Sequence, residues 1–274
     1  MIYNFLEYLK FILYGLIQGF TEFIPVSSTA HLKVISQLLG FDDPGSSLSA
    51  IIQLGSVIAL VCYFRNDIFK FRHQSPIKIF DYFLNLKLLR SIFIGTIPII
   101  FLGASIKLFF PYFFDNILRS NLSIAFVSFF MAMYMFIAES SKKGSISLNN
   151  HNYSDSFLIG ISQAFAVIPG FSRSGITIST ALISGWDRVD AAKFYFLLGI
   201  PAITLAAIVE FIYSFNELST FSFIPLFLGF LSTFLSSLFA IDFLLKFISS
   251  NGLKFFIIYR VLFGILILLN LYKS

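Results

Sequence analysis

We single out three ionisable side chains, Glu22, His31 and Arg173, because each lies in an apolar stretch of the sequence near a proline. An ionisable group inside a membrane-spanning segment costs about 2.5–3.5 kcal/mol on insertion scales, which makes such a residue a functional candidate. A carboxylate and an imidazole can move protons, and a guanidinium can bind an anion. The three types together could therefore carry out chemistry on an anionic substrate.

Gln18 and Glu22 are four residues apart in the first of these stretches. In a helix this spacing places both side chains on one face, where their oxygens could share one water or one divalent cation such as Mg²⁺ or Ca²⁺. The alternative is a polar pair at a helix end that faces an interface between helices. The pair alone does not decide between the two.

A cluster of hydroxyl side chains, Ser27, Ser28 and Thr29, follows Pro25, and His31 comes three residues after Ser28. Hydroxyl residues at the start of a helix usually cap it, but a cap needs only one of them. A neutral imidazole within hydrogen-bond reach could take the proton of a serine nucleophile. The alternative is that His31 forms a hydrogen bond between helices.

The segment 169–177, Pro-Gly-Phe-Ser-Arg-Ser-Gly-Ile-Thr, combines glycines, hydroxyls and an arginine. At a helix N-terminus, backbone N–H groups and hydroxyls can surround a phosphate, and an arginine adds a permanent charge with bidentate geometry. The alternative, an ion pair between Arg173 and Glu22, does not explain the glycines and hydroxyls. The predicted anion ligands are Ser172, Arg173, Ser174, Gly175 and Thr177.

The composition places this chemistry in a membrane. Of the 274 residues, 57% are hydrophobic and 12% are charged, whereas soluble domains average about 25% charged residues. The mean hydropathy is +0.87. These values exclude a soluble globular enzyme, a disordered chain and an ordinary nucleic-acid-binding protein. The net charge of +5 is better explained by basic loops that set the orientation in the membrane.

The apolar segments predict the elements that position these residues. Crossing a bilayer core of about 30 Å takes about 20 apolar residues. Two regions, 8–40 and 156–185, are apolar but interrupted at a proline. We expect each to form a re-entrant helix–break–helix pair whose halves are too short to span and whose break lines a polar cavity. Six uninterrupted segments are predicted to span the membrane: 47–64, 91–111, 117–138, 193–213, 221–240 and 253–272.

The two interrupted regions resemble each other at a constant offset of 145 residues. The three spans between them would insert the second copy upside down, as in inverted repeats whose site lies near the membrane midplane. We therefore predict an all-α polytopic membrane protein with a single transmembrane domain, 1–274, in which repeat one covers about 1–140 and repeat two about 150–274. The matched residues are Gly15 and Gly160, Gln18 and Gln163, Ser27 and Ser172, Gly40 and Gly185, and Asp42 and Asp187.

Basic residues orient the predicted spans, because loops rich in Lys and Arg face the cytoplasm. The loops 112–116 and 214–220 carry neither residue type, so both termini are predicted on the outer side. His151 lies in a polar loop and is expected to be solvated. The segments predicted to be cytoplasmic are 65–90, 142–143 and 246–254.

The motifs at residues 18–31 and 169–177 together resemble those of the bacterial undecaprenyl-diphosphate phosphatases of the bacitracin-resistance type, and the resemblance extends over essentially the whole chain. It implies hydrolysis of undecaprenyl diphosphate to undecaprenyl phosphate and inorganic phosphate, which recycles the lipid carrier of cell-wall synthesis at the outer face of the bacterial plasma membrane. The implied partners are this lipid and the bilayer, without nucleic acid. The sequence leaves room for a homodimer.

Carried over by position, the resemblance places the acidic pair of the family on Gln18 and Glu22. Its serine and histidine fall on Ser28 and His31, with Ser27 adjacent. Many members have Glu where this chain has Gln18, and this difference weakens the expectation of tight metal binding. The phosphate-binding loop of the family falls on Ser172, Arg173, Ser174 and Thr177.

The expected mechanism follows from these assignments. Arg173 and the loop around it hold the diphosphate, and a divalent cation lies near Glu22. Ser28 attacks the terminal phosphorus, and His31 handles the proton. Positioning and charge stabilisation supply most of the acceleration in phosphoryl transfer, so the loss of Arg173 should be at least as damaging as the loss of Ser28.

A transporter is the competing class, since inverted repeats with broken helices are also the architecture of secondary carriers. Such a protein would flip undecaprenyl phosphate through the same site. The presence of Glu22, Ser28 and His31 together favours an enzyme, because a carrier needs only an anion-binding cradle.

Overall fold

The computed structural model describes residues 2–41, 45–65, 79–142, 144–213 and 222–273, and these residues are helical apart from the connecting segments. A short turn, Pro111–Phe113, and a π-helical turn, Phe114–Leu118, connect the fourth and fifth helices. In chain order, the helices are α1 (Ile2–Phe23), α2 (Ser28–Leu38), α3 (Gly45–Tyr63), α4 (Ile79–Phe109), α5 (Asn121–Ser140), α6 (Tyr153–Ala164), α7 (Arg173–Ile183), α8 (Arg188–Tyr213), α9 (Phe223–Asn251) and α10 (Lys254–Lys273).

Five helices in the described part of the chain are long and apolar enough to cross a membrane. This finding supports a multi-pass integral membrane protein. The sixth predicted span, 47–64, falls in α3, whose described apolar part, Ile51–Tyr63, is shorter than the other five. The five candidate spans are Leu86–Phe109, Asn121–Ser140, Arg188–Val209, Phe223–Asn251 and Lys254–Tyr272.

Two helices extend into segments predicted as basic loops. Helix α4 begins at Ile79 and so includes part of the predicted loop 65–90. Helix α9 continues to Asn251 and therefore contains Lys246. Lysine and arginine favour helices, and glycine and proline are absent from both extensions. The other predicted loop residues, 66–78, 143 and 214–220, lie outside the described residues.

Both predicted breaks are present between helices. Helix α1 is 22 residues long, longer than the short half-helix expected, and it ends before Pro25. Helices α2 and α7, which follow the two breaks, have 11 residues each. After them come Gly40 and Gly185, with φ of +69° and +88°. Glycine takes this left-handed conformation at little cost, which suits the end of a helix.

Helix pairs from opposite halves of the chain pack most closely at glycines. Helix α1 packs on α9 and α4 packs on α6. A Cβ on Gly15 would lie 2.2 Å from the carbonyl oxygen of Gly229, and a Cβ on Gly160 would lie 2.4 Å from that of Gly95. Small residues allow such close approach of two membrane helices. These crossings hold α1 and α6, the helices that precede the two breaks, against helices from the other half of the chain.

The expectation that His151 is solvated is wrong. The side chain is buried and packs against the rings of Trp186 and Phe194. Its Nδ1–H donates to the carbonyl of Leu148, 2.9 Å away, and its Nε2 accepts from the hydroxyl of Ser91 at 2.7 Å. Two hydrogen bonds and an aromatic environment thus hold a neutral imidazole in the loop before α6.

Stability should therefore depend on pH through His151. Burial lowers the pKa of this side chain from 6.5. Below pH 6.5 the unfolded chain takes up a proton that the folded protein resists, so this contribution to stability is lost as the pH falls. We expect His151→Gln to have a lower unfolding temperature in detergent than wild type at pH 7.5. The difference between the two unfolding temperatures should be smaller at pH 5.5. A difference that is independent of pH would contradict this.

Candidate active site

The two chain breaks meet at an ion pair. Glu22 is in the last turn of α1, and Arg173 is the first residue of α7. Arg173 Nη2 lies 2.9 Å from Glu22 Oε1, and the two side chains are 10% and 7% exposed. The predicted convergence of the two motifs is confirmed, and the ion pair that was weighed as an alternative role for Arg173 is present.

Three further donors surround the Glu22 carboxylate. Gln18 Nε2 donates to Oε2 at 2.8 Å, and Ser28 Oγ donates to the same oxygen at 2.6 Å. Gln53 Nε2, from α3, approaches Oε1 at 3.4 Å. Gln18 and Glu22 therefore share one helix face, as expected, and their direct contact is a hydrogen bond from amide to carboxylate.

Arg173 is held from several sides. Its Nη1 approaches the carbonyl of Gly199 at 3.4 Å, and its guanidinium lies over the ring of Tyr195, with 5.5 Å between Cζ and the ring centre. The Tyr195 hydroxyl donates to the carbonyl of Glu22 at 3.0 Å. The Nε atom of Arg173 is buried and has no acceptor among the described residues. Arg173 is thus fixed by contacts with Glu22, Gly199 and Tyr195 while the residue still lines the cavity.

Ser28 and His31 are not arranged as predicted. The Ser28 hydroxyl is bonded to Glu22, so a carboxylate and not the imidazole is its hydrogen-bonded partner. Both nitrogens of His31 bond elsewhere, Nδ1 to the carbonyl of Ser27 at 2.7 Å and Nε2 to the hydroxyl of Tyr259 at 2.6 Å. The physical reason is helical geometry, because a side chain readily reaches the carbonyl four residues earlier in its own first turn.

Ser27 has a strained backbone at the start of α2. Its φ is 77°, which makes it the one non-glycine residue with positive φ in the described part of the chain. Such a conformation costs about 1–3 kcal/mol and persists only where the surroundings impose it. The Ser27 side chain lines the same cavity as Ser28. The unusual backbone therefore directs two neighbouring hydroxyls toward one space.

The second motif is divided between the cavity and the protein interior. Ser172 and Arg173 line the cavity. The Gly175 N–H donates to Ser172 Oγ at 3.2 Å, and Thr177 Oγ1 donates to the carbonyl of Arg173 at 2.6 Å. Ser174 is fully buried and shares a hydrogen bond with Ser172. The first turn of α7 is thus built by Ser174, Gly175 and Thr177. Contrary to the prediction, these three residues do not line the cavity.

The cavity at the ion pair has a polar end and an apolar end. Its volume is about 760 Å³, within the size range of small-molecule sites. The polar end is lined by Thr21, Glu22, Ser27, Ser28, Thr29, Gln53, Ser172 and Arg173. Aliphatic side chains of α4 and α8 line the other part, and two cations, Lys107 and Arg119, also belong to the lining.

The described residues do not form a preassembled metal site. No group of three or more His, Cys, Asp or Glu side chains comes together among them. Glu22 is the one carboxylate of the cavity lining, and its oxygens already accept from Arg173, Gln18 and Ser28. Magnesium sites in phosphate chemistry need only one or two carboxylates when the substrate phosphates complete the coordination. The residues therefore suit a cation that arrives with a phosphate ligand.

Sequence reasoning missed several residues that hold the site. Arg260 is 1% exposed and donates to the carbonyls of Pro25 and Gly170, one in each break. The sequence did indicate that Arg260 is unusual, because this arginine lies inside the predicted span 253–272. Tyr195 and Tyr259 carried no such signal, since tyrosines are common in apolar helices.

We expect the Glu22–Arg173 pair to behave as one energetic unit. Removing one partner of a buried pair leaves the other unpaired, at a cost of about 3–5 kcal/mol. Glu22→Gln and Arg173→Gln should each lower the unfolding temperature in detergent, and the double variant should lose less than the sum. Lys246→Gln breaks the exposed pair with Asp242 and should change stability little. Additive losses at Glu22 and Arg173 would show that the pair is not coupled.

Comparison with known proteins identifies the family of the chain. The sequence model of the family described as "Bacitracin resistance protein BacA" matches residues 11–266. A protein of Prochlorococcus marinus (strain AS9601) named undecaprenyl-diphosphatase is 73% identical over 270 residues, which is 98% of each chain. The protein of the same name in strain MIT 9312 is 74% identical, and the match covers 97% of this chain and 100% of the relative. The one in strain SARG is 48% identical, and the match covers 95% of this chain and 91% of the relative. The chain belongs to the bacitracin resistance protein BacA family.

Proposed function

We propose that the protein hydrolyses undecaprenyl diphosphate to undecaprenyl phosphate and inorganic phosphate. This reaction returns the lipid carrier used for peptidoglycan and other cell-wall polymers. The observation that carries the proposal is the joint presence of Ser28, Glu22 and Arg173 at one end of a cavity with apolar walls. The relatives named undecaprenyl-diphosphatase, similar over nearly the whole chain, support the same activity.

The cavity suits a substrate with an anionic head and an apolar tail. The cationic side chain of Arg173 lines the polar end together with Ser27 and Ser172. Ile100 and Leu205 line the apolar part and are 47% and 40% exposed on the outer surface of α4 and α8. A prenyl chain could thus follow α4 and α8 from the bilayer while the diphosphate reaches Arg173.

Ser28 is the proposed nucleophile, and the structure favours Glu22 as its base. The Ser28 O–H already points to Glu22 Oε2, so the proton moves to the carboxylate as Oγ forms a bond to the terminal phosphorus. The anhydride P–O bond then breaks, and undecaprenyl phosphate leaves with the electron pair. Glu22 passes its proton to the departing phosphate oxygen. Water next attacks the phosphoserine and gives a proton to Glu22, the Oγ–P bond breaks, and Glu22 returns that proton to Ser28 Oγ as inorganic phosphate leaves. His31, predicted as the base, instead contacts the backbone of Ser27.

Arg173 has a double role in this scheme. In the free protein its guanidinium neutralises Glu22. A bound diphosphate competes for the same cation, and the weakened pairing frees a Glu22 oxygen to accept the Ser28 proton. The guanidinium also offsets the negative charge on the transferred phosphoryl group. One side chain therefore both positions the diphosphate and stabilises the charge of the transition state.

The divalent cation, Mg²⁺ or Ca²⁺, stays part of the proposal. Glu22 and the side-chain oxygen of Gln18 would hold it together with phosphate oxygens of the substrate. Its chemistry would be to neutralise charge on the diphosphate. The fit rests on one carboxylate, so we propose that the cation binds with the substrate and not before it.

We also propose the inverted repeat and an outward-facing site in the bacterial plasma membrane, with repeats at about 1–140 and 150–274. Helices α2 and α7 have equal length and end at glycines with positive φ. The glycine crossing of α1 with α9 has a counterpart in that of α6 with α4. These correspondences support two copies of one structural unit, of which α2 and α7 would be the re-entrant halves. A homodimer stays a prediction.

The same architecture could serve a carrier that flips the lipid. A carrier needs a cradle for the phosphate but no nucleophile bonded to a carboxylate. The 2.6 Å contact between Ser28 and Glu22 therefore favours hydrolysis over transport.

Phosphate release tests the proposed activity. Purified protein in detergent receives undecaprenyl diphosphate and Mg²⁺, with or without chelator, and inorganic phosphate is measured. We expect release by wild type, loss with chelator, and a fall of about 10³-fold for Arg173→Gln, the range of catalytic arginines in phosphoryl transfer. Ser28→Ala should lower phosphate release by a similar or smaller factor. No release by wild type overturns the activity, and near-normal release by Ser28→Ala shows that water attacks directly.

Labelling with a membrane-impermeant maleimide tests the orientation. Asn116 lies between α4 and α5, Asn149 lies between α5 and α6, and both are exposed. Each is replaced by cysteine in turn, in a variant whose own cysteine is removed by Cys62→Ser. We expect intact cells to label the first and only permeabilised cells to label the second. The reverse pattern would place the cavity on the cytoplasmic side.

A further inference from the structure

We infer that Tyr259 and Arg260, neighbours on α10, are positioning residues that hold the two chain breaks in the geometry required by Ser28 and Arg173. This inference rests on the proposed function. Helix α10 contributes no residue to the cavity lining, and neither motif includes it. Its contacts with both breaks nevertheless make it the element on which the alignment of the site depends.

Arg260 links the breaks directly. Its guanidinium donates to the carbonyl of Pro25 at 3.4 Å and to the carbonyl of Gly170 through a short hydrogen bond. Pro25 lies three residues before Ser28, and Gly170 lies three residues before Arg173. Because arginine presents its donors in a rigid fork, one side chain sets the distance between the two segments. A lysine, with one flexible ammonium, would not fix both carbonyls in this way.

Tyr259 acts on the first break through His31. The tyrosine hydroxyl donates to His31 Nε2 at 2.6 Å, and His31 Nδ1–H donates to the carbonyl of Ser27 at 2.7 Å. The ring of Phe263 stacks on the imidazole with 4.2 Å between ring centres. The imidazole is therefore held in one plane and one tautomer, and it anchors the carbonyl that immediately precedes Ser28.

This anchor explains how Ser27 keeps its strained backbone. A serine at φ 77° relaxes unless its neighbours oppose the change. The bond from His31 restrains the Ser27 carbonyl, and Tyr259 restrains His31. Relaxation of Ser27 would turn the next residue, Ser28, away from Glu22. The tyrosine hydroxyl thus fixes the direction of the nucleophile without touching the substrate.

The burial of Arg260 points to function more than to stability. The side chain is 1% exposed, and no described carboxylate lies within salt-bridge distance of it. Burying a cation without a counter-ion is costly, because the charge loses its hydration. An alignment role gives this arginine a reason to be there that packing alone does not supply.

Steady-state kinetics of phosphate release test the inference. We expect Tyr259→Phe to lower kcat about 10-fold or more, and Arg260→Lys about 100-fold, with KM within about threefold, because misplacement of reacting groups affects the chemical step more than binding. Tyr134→Phe removes a hydroxyl bonded to Thr180, and Arg188→Lys alters the ion pair with Glu139. Both are matched controls outside the site and should keep wild-type kcat.

A double variant separates positioning from a general structural role. Glycine adopts positive φ unaided, so Ser27→Gly should remove the need for the anchor. In the Ser27→Gly background, Tyr259→Phe should therefore change kcat less than twofold. An equal loss in both backgrounds, or a wild-type kcat for Tyr259→Phe alone, overturns the inference. Absence of phosphate release by wild type would instead contradict the proposed function.

Discussion

The pairing of Glu22 with Arg173 is the interaction on which the rest of the structure depends. The two residues are 151 positions apart and come from opposite halves of the chain. In a medium that penalises isolated charge, each is tolerated because the other is present. The end of α1 and the start of α7, each next to a chain break, bring these two side chains into contact. The cavity then offers this buried pair to an anionic ligand that competes for the cation.

Much of this arrangement could be predicted from the residues. The apolar runs predicted an all-helical membrane protein, and the interruptions at Pro25 and Pro169 predicted where helices stop. The i, i+4 spacing correctly placed Gln18 beside Glu22. These inferences succeeded because helix periodicity, proline geometry and the cost of charge in lipid are local properties that a single sequence records.

The remaining features depend on contacts that the sequence does not record. The partner of Ser28 was mispredicted because His31, three residues away, is nearer in sequence than Glu22, six residues away, whereas the fold brings the Glu22 carboxylate to the hydroxyl. His151 was mispredicted because the rings that bury it lie more than thirty residues away. Helix α4 begins before its predicted span and α9 ends after its own, because lysine and arginine favour the helix in both extensions.

The glycine crossings have a consequence for how the molecule assembles. Each joins a helix of the first half to a helix of the second, α1 with α9 and α4 with α6. When only the first half has left the ribosome, the grooves at Gly15 and Gly95 have no partner backbone. The closest helix crossings of the first half therefore form only after the second half has been made. Separately expressed halves would have to meet in the bilayer before either became resistant to proteolysis.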